Sequence, residues 1–252
     1  MNTRRPLLDA ARKLSDTVGA LQFAPPVTHV YNPLDYAWNA HAEYLNRFGH
    51  GQKRVIFLGM NPGPFGMVQT GVPFGEVFAV REWLKIDEDV TGNSNSKIKI
   101  SIPPTLIQNP KRPIEGFSCK RSEVSGRRLW GLFALKFGRP EDFFDQHFVA
   151  NYCPLAFFSG GRNITPDKLP IPEQTQLITA CDQHLREMVA ILQPEWLIGV
   201  GGWAEGKARQ ALTDPHLKFG RILHPSPASP AANRGWSEAA TRQLQALAIW
   251  PS

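Results

Sequence analysis

Four short apolar runs, separated by stretches of helical period, constrain this chain more than any other feature. They are Val55-Ile56-Phe57-Leu58, Phe148-Val149-Ala150, Trp196-Leu197-Ile198-Gly199-Val200 and Arg221-Ile222-Leu223. Each is too short for a helix and too continuous for a strand with one wet face, so each reads as a buried strand. The clearest helix spans 173–192, where Leu177, Ile178, Cys181, Leu185, Met188, Val189 and Leu192 recur on one face before Pro194. Helical periods also fit 35–48, 122–137, 203–212 and 235–248, and an N-terminal helix is expected over 1–20. Strands buried on both faces and alternating with helices imply an α/β fold of three layers, a four-stranded parallel sheet flanked by helices. Residues 87–118 match neither period. With Gly92-Asn93-Ser94-Asn95-Ser96 and the pairs Pro103-Pro104 and Pro110-Lys111-Arg112-Pro113, they read as a long surface excursion.

A chain of 252 residues, 42% of them hydrophobic, can bury one sizeable core, and 1–252 is expected to form a single domain. No apolar run reaches the roughly eighteen residues that a membrane span needs. The start, MNTRRPLLDAARKLSD, carries acids where a secretory signal needs an apolar stretch, so an intracellular protein is expected. The excess of 28 Lys and Arg over 22 Asp and Glu, net charge +6, suits an anionic partner. Cys119, Cys153 and Cys181 are odd in number and lack metal-ligand spacing, which favours reduced, buried thiols over disulfides, zinc or iron–sulfur clusters.

Polar residues fall at the carboxyl ends of the expected strands, where an open parallel sheet borders its ligand crevice. Asn61 lies just past the first strand, Asn151 ends the second, and His224 follows the fourth. Any one alone is more often a turn cap or a core histidine; three together point to a site. Residues 58–77, LGMNPGPFGMVQTGVPFGEV, are unusually stiff and poor in side chains, as a wall lying flat against a ligand would be. The segment GVGGWAEGKA matches GxxxxGK over Gly201 to Lys207 and GxGxxA over Gly199, Gly201 and Ala204. Ala208 stands where a P-loop needs Ser or Thr, and no acid follows at ribose-binding distance, so a nucleotide cofactor is disfavoured there.

GMNPGPFGMVQTGVPFGEV at 59–77 and HPSPASPAANRGW at 224–236 resemble the two signature motifs of the single-strand-selective monofunctional uracil-DNA glycosylases. PKRP at 110–113, SEVSGRRLWG at 122–131, NYCPLAF at 151–157 and GRNITP at 161–166 extend the similarity over nearly all of the chain from about residue 35. The resemblance implies a uracil-DNA glycosylase-like fold. It also implies hydrolysis of the N-glycosidic bond of uracil and 5-hydroxymethyluracil in single- and double-stranded DNA, with no metal, no cofactor and no strand cleavage. DNA carrying uracil or a 5-modified uracil would be the partner of a monomer, cytoplasmic or at the nucleoid in a bacterium and nuclear in a eukaryote.

By position in those motifs, Asn61 would place the attacking water and His224 would donate to uracil O2. Met60, Gly63, Phe74 and Asn151 would surround the base: Phe74 stacked on it, Asn151 on its Watson–Crick edge, Gly63 leaving space beside C5. Pro225, Ser226, Pro227 and Ala228 would enter the DNA, with Arg162, Asn163 and Arg234 on its backbone. Vertebrate members carry a long Arg where this chain has Ala228, which implies a weaker plug and stronger discrimination against duplex. Two other readings stay open on residues alone: a non-catalytic single-strand binder, and a P-loop enzyme using Gly201 to Lys207.

Overall fold

The computed structural model describes residues 3–86, 98 and 100–251. Among these, in chain order, the α-helices are α1 (Arg4–Gly19), α2 (Pro33–Tyr36), α3 (Trp38–Phe48), α4 (Met67–Thr70), α5 (Val124–Phe137), α6 (Pro140–Phe144), α7 (Ile171–Leu192), α8 (Gly202–Ala211), α9 (Pro230–Asn233) and α10 (Trp236–Ala246). The strands are β1 (His29–Tyr31), β2 (Val55–Gly59), β3 (His147–Asn151), β4 (Ala156–Ser159), β5 (Arg162–Ile164), β6 (Trp196–Val200) and β7 (Lys218–Ile222).

The expected parallel sheet is present, in the order β3-β2-β6-β7. Every residue of β2 is buried, which is why its sequence is a continuous apolar run rather than an alternation. Helices cover both faces. On α7 the buried residues Leu177, Cys181, Leu185, Met188 and Leu192 recur at helical spacing and form one stripe, against which α1 packs. All three cysteines are buried free thiols.

The last strand differs from the sequence expectation of 221–223. β7 begins at Lys218 and ends at Ile222, so His224 stands two residues beyond it. It is one of the two edge strands, with only Gly220 and Ile222 buried. Gly220 hides half of that inward pattern because it has no side chain. A Cβ there would lie 2.6 Å from Leu247 Cδ1 and 2.9 Å from Ile198 Cδ1.

A second, antiparallel sheet, β1-β4-β5, was not anticipated. The helical pattern at 35–48 divides at Ala37 into α2 and α3, and Asn32 caps α2 by accepting from Leu34 N–H at 3.2 Å. Residues 87–97 and 99 of the expected excursion lie outside the described residues. The part from 100 to 118 is mostly irregular but anchored. Ile114 and Asn109 are buried, and Ile100, Ile102 and Leu106 pack on a cluster that includes Tyr31, Tyr36, Val68 and Phe158.

Candidate active site

The pairing of β2 with β3 sets Gly59 opposite Asn151, so the loop leaving β2 and the polar end of β3 start side by side. Backbone bonds from Tyr152 N–H to Gly59 O and from Cys153 N–H to Met60 O, both 2.9 Å, prolong that pairing past the sheet. His224 comes from beyond β7 and rests on Gly201, where a Cβ would lie 3.1 Å from His224 Cβ and 3.2 Å from Cδ2. Together these segments enclose a cavity of about 420 Å³.

Nine of the expected residues line that cavity: Met60, Asn61, Gly63, Phe74, Asn151, Asn163, His224, Ser226 and Pro227. Four do not. Pro225 is buried behind the wall, and Arg162, Ala228 and Arg234 are exposed outside it.

The wall from 59 to 75 is held rigidly by its own chemistry. Buried Gln69 donates to Pro64 O (2.9 Å) and Pro113 O (3.1 Å), and its Oε1 accepts from Glu115 N–H (2.8 Å) and Gly116 N–H (3.0 Å). Thr70 Oγ1 donates to Gly75 O at 2.8 Å, Tyr36 O–H to Val68 O at 2.7 Å and His41 Nδ1–H to Gly71 O at 2.8 Å. These bonds sustain a left-handed backbone at Phe74, φ 53°, a conformation that costs a non-glycine residue about 1–2 kcal/mol. At Gly59 no side chain fits: a Cβ would lie 2.4 Å from Asn151 Oδ1 and 2.5 Å from Phe74 Cε2.

Hydrogen bonds orient the three polar groups. Asn61 Nδ2 donates to Leu155 O at 3.2 Å, and since a carbonyl only accepts, the amide's Oδ1 is left as an acceptor. Asn151 Nδ2 lies 3.2 Å from Met67 Sδ, while its buried Oδ1 has no partner among the described residues. A buried acceptor without a donor costs about 1–3 kcal/mol, which a ligand N–H would relieve. Ser226 N–H donates to His224 Nδ1 at 3.1 Å, so Nδ1 is unprotonated and a neutral ring carries its proton on Nε2. Burial lowers the His224 pKa below its ordinary value, which favours that neutral donor. Arg128 on α5 donates to Pro225 O (3.0 Å) and to Asn233 Oδ1 (2.9 Å), bracing the segment that carries His224.

Glu123, within the 122–131 segment, is a site residue that the sequence reading did not single out. It lines the cavity beside Met67, Ser125 and Thr165, and its Oε2 accepts from Phe65 N–H at 3.1 Å. A Cβ on Gly63 would lie 2.6 Å from that oxygen, so the glycine makes room for the carboxylate. Burial raises the Glu123 pKa, the Phe65 N–H opposes this, and the Glu76 charge adds to it. Just before α5, Glu123 reads in sequence as an ordinary acid at a helix start.

The glycines of the P-loop-like segment serve packing. A Cβ on Gly199 would lie 2.4 Å from Glu205 N, so its absence lets α8 approach β6, and Gly201 seats His224. Lys207 donates to Gln210 Oε1 at 3.3 Å. Among the described residues no group of three or more His, Cys, Asp or Glu is placed to hold a metal ion, and no helix is long and apolar enough to cross a membrane.

The sequence profile described as the uracil DNA glycosylase superfamily matches residues 47–249, and this chain belongs to that superfamily. Two relatives within it are of one kind. The chain is 47% identical to the single-strand selective monofunctional uracil-DNA glycosylase of Rattus norvegicus and 46% identical to that of Mus musculus. Each alignment covers 97% of this chain and 84% of the relative. The chain is therefore a member of the single-strand selective monofunctional uracil-DNA glycosylase family, which are N-glycosyl hydrolases. A solved structure, Pedobacter heparinus SMUG2, shares the fold with a TM-score of 0.62 at 16% identity, over 95% of this chain and 97% of that one.

Proposed function

We propose that this protein hydrolyses the N-glycosidic bond of uracil, and of 5-hydroxymethyluracil, in single- and double-stranded DNA, leaving an abasic site and an intact strand. The observation that carries this is the meeting, in one cavity, of an acceptor on Asn61, an unpartnered acceptor on Asn151 and an Nε2–H donor on His224.

A base inside a stack cannot be attacked, so the nucleotide rotates out into the cavity. Phe74 lies against the flipped ring. Asn151 accepts from uracil N3–H and donates to O4; cytosine presents the reverse pattern and is refused, provided the amide keeps its orientation. Gly63 keeps its own side chain away from C5, so a hydroxymethyl group there would lie against the Glu123 carboxylate that occupies the glycine's Cβ space.

Asn61 Oδ1 accepts from a water and aims its oxygen at the sugar C1′. As the C1′–N1 bond breaks, its electron pair leaves with the base and negative charge gathers on O2, where His224 Nε2–H donates. A preorganised donor of this kind is worth about 10²–10³ in rate. The water oxygen bonds to C1′, its proton passes to solvent, and the uracil anion is later protonated. No lysine occurs in 59–77 or 224–236, so no Schiff base forms at these motifs and the strand stays whole. The 225–228 segment fills the space the base vacates, while Arg162, Asn163 and Arg234 contact the backbone. The protein acts as a monomer inside the cell.

The test is incubation with a uracil-containing oligonucleotide without added metal, followed by alkali. Scission only after alkali is expected. Asn61→Ala and His224→Ala should abolish it while leaving DNA binding, and Lys207→Ala should leave it unchanged. Binding without base release by the wild-type protein would overturn the proposal in favour of a non-catalytic single-strand binder.

A further inference from the structure

We propose that the rim of the pocket around Phe65 is a docking track for the unpaired DNA strand that flanks the flipped nucleotide. This rests on the glycosylase reading above and assigns residues to which that reading gives no role.

Phe65 does not itself line the cavity but lies between Pro64 and Gly66, which do, so its half-buried ring stands beside it. The Arg121 guanidinium carbon sits 3.8 Å from the centre of that ring, and the Arg112 guanidinium carbon 5.3 Å from it. Two cations are thereby gathered on one aromatic ring beside the base site. Arg121 is exposed, so the outer side of its guanidinium and its N–H edges face solvent.

The backbone presenting these groups is pinned. Tyr31 O–H donates to Arg112 O at 2.9 Å and its oxygen accepts from Asn109 N–H at 2.6 Å. Gln69 ties Pro64 to Pro113 and to the amides of Glu115 and Gly116. The Lys111 side chain runs against Gly161, next to Arg162 and Asn163, the latter lining the cavity. Two segments distant in sequence, 109–121 and 161–163, thus bring basic groups to the rim beside the Phe65 ring. Between 109 and 121 the chain carries Lys111, Arg112, Lys120 and Arg121 against a single acid, Glu115. Among the described residues none of these four cations forms an ion pair.

Charge alone would suit any polyanion; the stacked ring and guanidinium select further. An aromatic and guanidinium surface gives an unpaired base a partner for its π-face, whereas a base in duplex is already stacked on both sides. The track therefore favours single-stranded flanks, with the Arg121–Phe65 pair as the stacking platform and Lys111 and Arg112 neutralising phosphates.

The experiment compares a trinucleotide with uracil at its centre and a 20-nucleotide single strand, using Arg121→Ala, Arg121→Lys and Lys111→Ala. Arg121→Ala should raise KM on the long strand about tenfold and leave the trinucleotide unaffected, with the single-turnover rate at saturation unchanged on both. Arg121→Lys should keep the salt dependence and still lose affinity, because it retains the charge without the plane. Lys111→Ala should make the slope of log K against log salt shallower by about 0.7. Equal losses on both substrates would mean that Arg121 shapes the pocket, and no loss on the long strand would mean that there is no track; either overturns the inference. Should the wild-type protein release no uracil, the glycosylase reading fails by itself. The track would then still be read from the effect of Arg121→Ala on binding of a uracil-free strand.

Discussion

Gly59→Ala is the substitution that most directly tests whether base recognition depends on bare backbone under the pocket. The added Cβ would lie 2.4 Å from Asn151 Oδ1 and 2.5 and 2.6 Å from Phe74 Cε2 and Cζ. Ordinary contacts between such atoms begin near 3.5 Å, so the amide and the ring must each retreat by about 1 Å. Neither can do so cheaply. Asn151 sits on β3, opposite residue 59 itself, and Phe74 is held at φ 53° by a loop tied down at Thr70 and Gly71. Displacement of that size in groups that orient a substrate lowers rates by about a hundredfold, while an overpacked methyl costs about 1–3 kcal/mol of stability. The assay is single-turnover release of uracil from a single-stranded oligonucleotide at saturating enzyme, with thermal unfolding measured separately. The expected result is a folded protein whose melting temperature falls by a few degrees and whose rate falls about a hundredfold. Adding Phe74→Ala should cost less in the variant than in the wild type, because the ring has already been pushed away. A folded Gly59→Ala protein within about threefold of wild-type rate would refute the reasoning.

Acid should unfold the protein steeply. Burial lowers the pKa of His41, His147 and His184 to about 4, so between pH 6.5 and 4 the unfolded chain binds protons that the folded one refuses, and stability falls as pH falls. Three such groups give a slope of about 4 kcal/mol per pH unit near pH 5, checked by denaturant unfolding across that range; a flat profile would contradict the burial of neutral imidazoles. Ala228→Arg should raise uracil release from duplex severalfold relative to single strand. Ala228 is exposed on a segment fixed by Asn233 Nδ2–H to Pro227 O at 2.9 Å, so a long side chain can project from it without repacking. Paired duplex and single-strand rates decide it, and an unchanged ratio would remove the wedge role.

The parallel sheet was legible because β2, β3 and β6 are buried on both faces and therefore written as unbroken apolar runs. β7 was misplaced because, unlike the other edge strand β3, it is only partly buried and alternates, and Gly220 removes one of its inward marks. The antiparallel sheet was invisible for a different reason. β1 and β5 span only three residues each, less than the two full alternations that a period needs, and β4 directly follows the Asn151–Leu155 turn. At the site, Asn61, Asn151 and His224 could be read because polar residues at the ends of apolar strands stand out against their surroundings. Glu123 could not, since an acid at a helix start is unremarkable until the fold places it against Gly63 and the Phe65 amide. The glycines near Gly201 misled in the opposite direction, because close packing and phosphate binding require the same missing side chain.

Gln69 engages four backbone groups with one buried amide, and so ties the pocket wall to residues 113–116 of the surface excursion. A receptor braced in this way does not mould itself around what enters; whatever rearrangement recognition demands falls on the nucleic acid. On the glycosylase reading proposed above, polymers that yield readily would be taken in preference to stiff ones, and the compliance of the substrate would weigh in the choice between one strand and two before any base has been read.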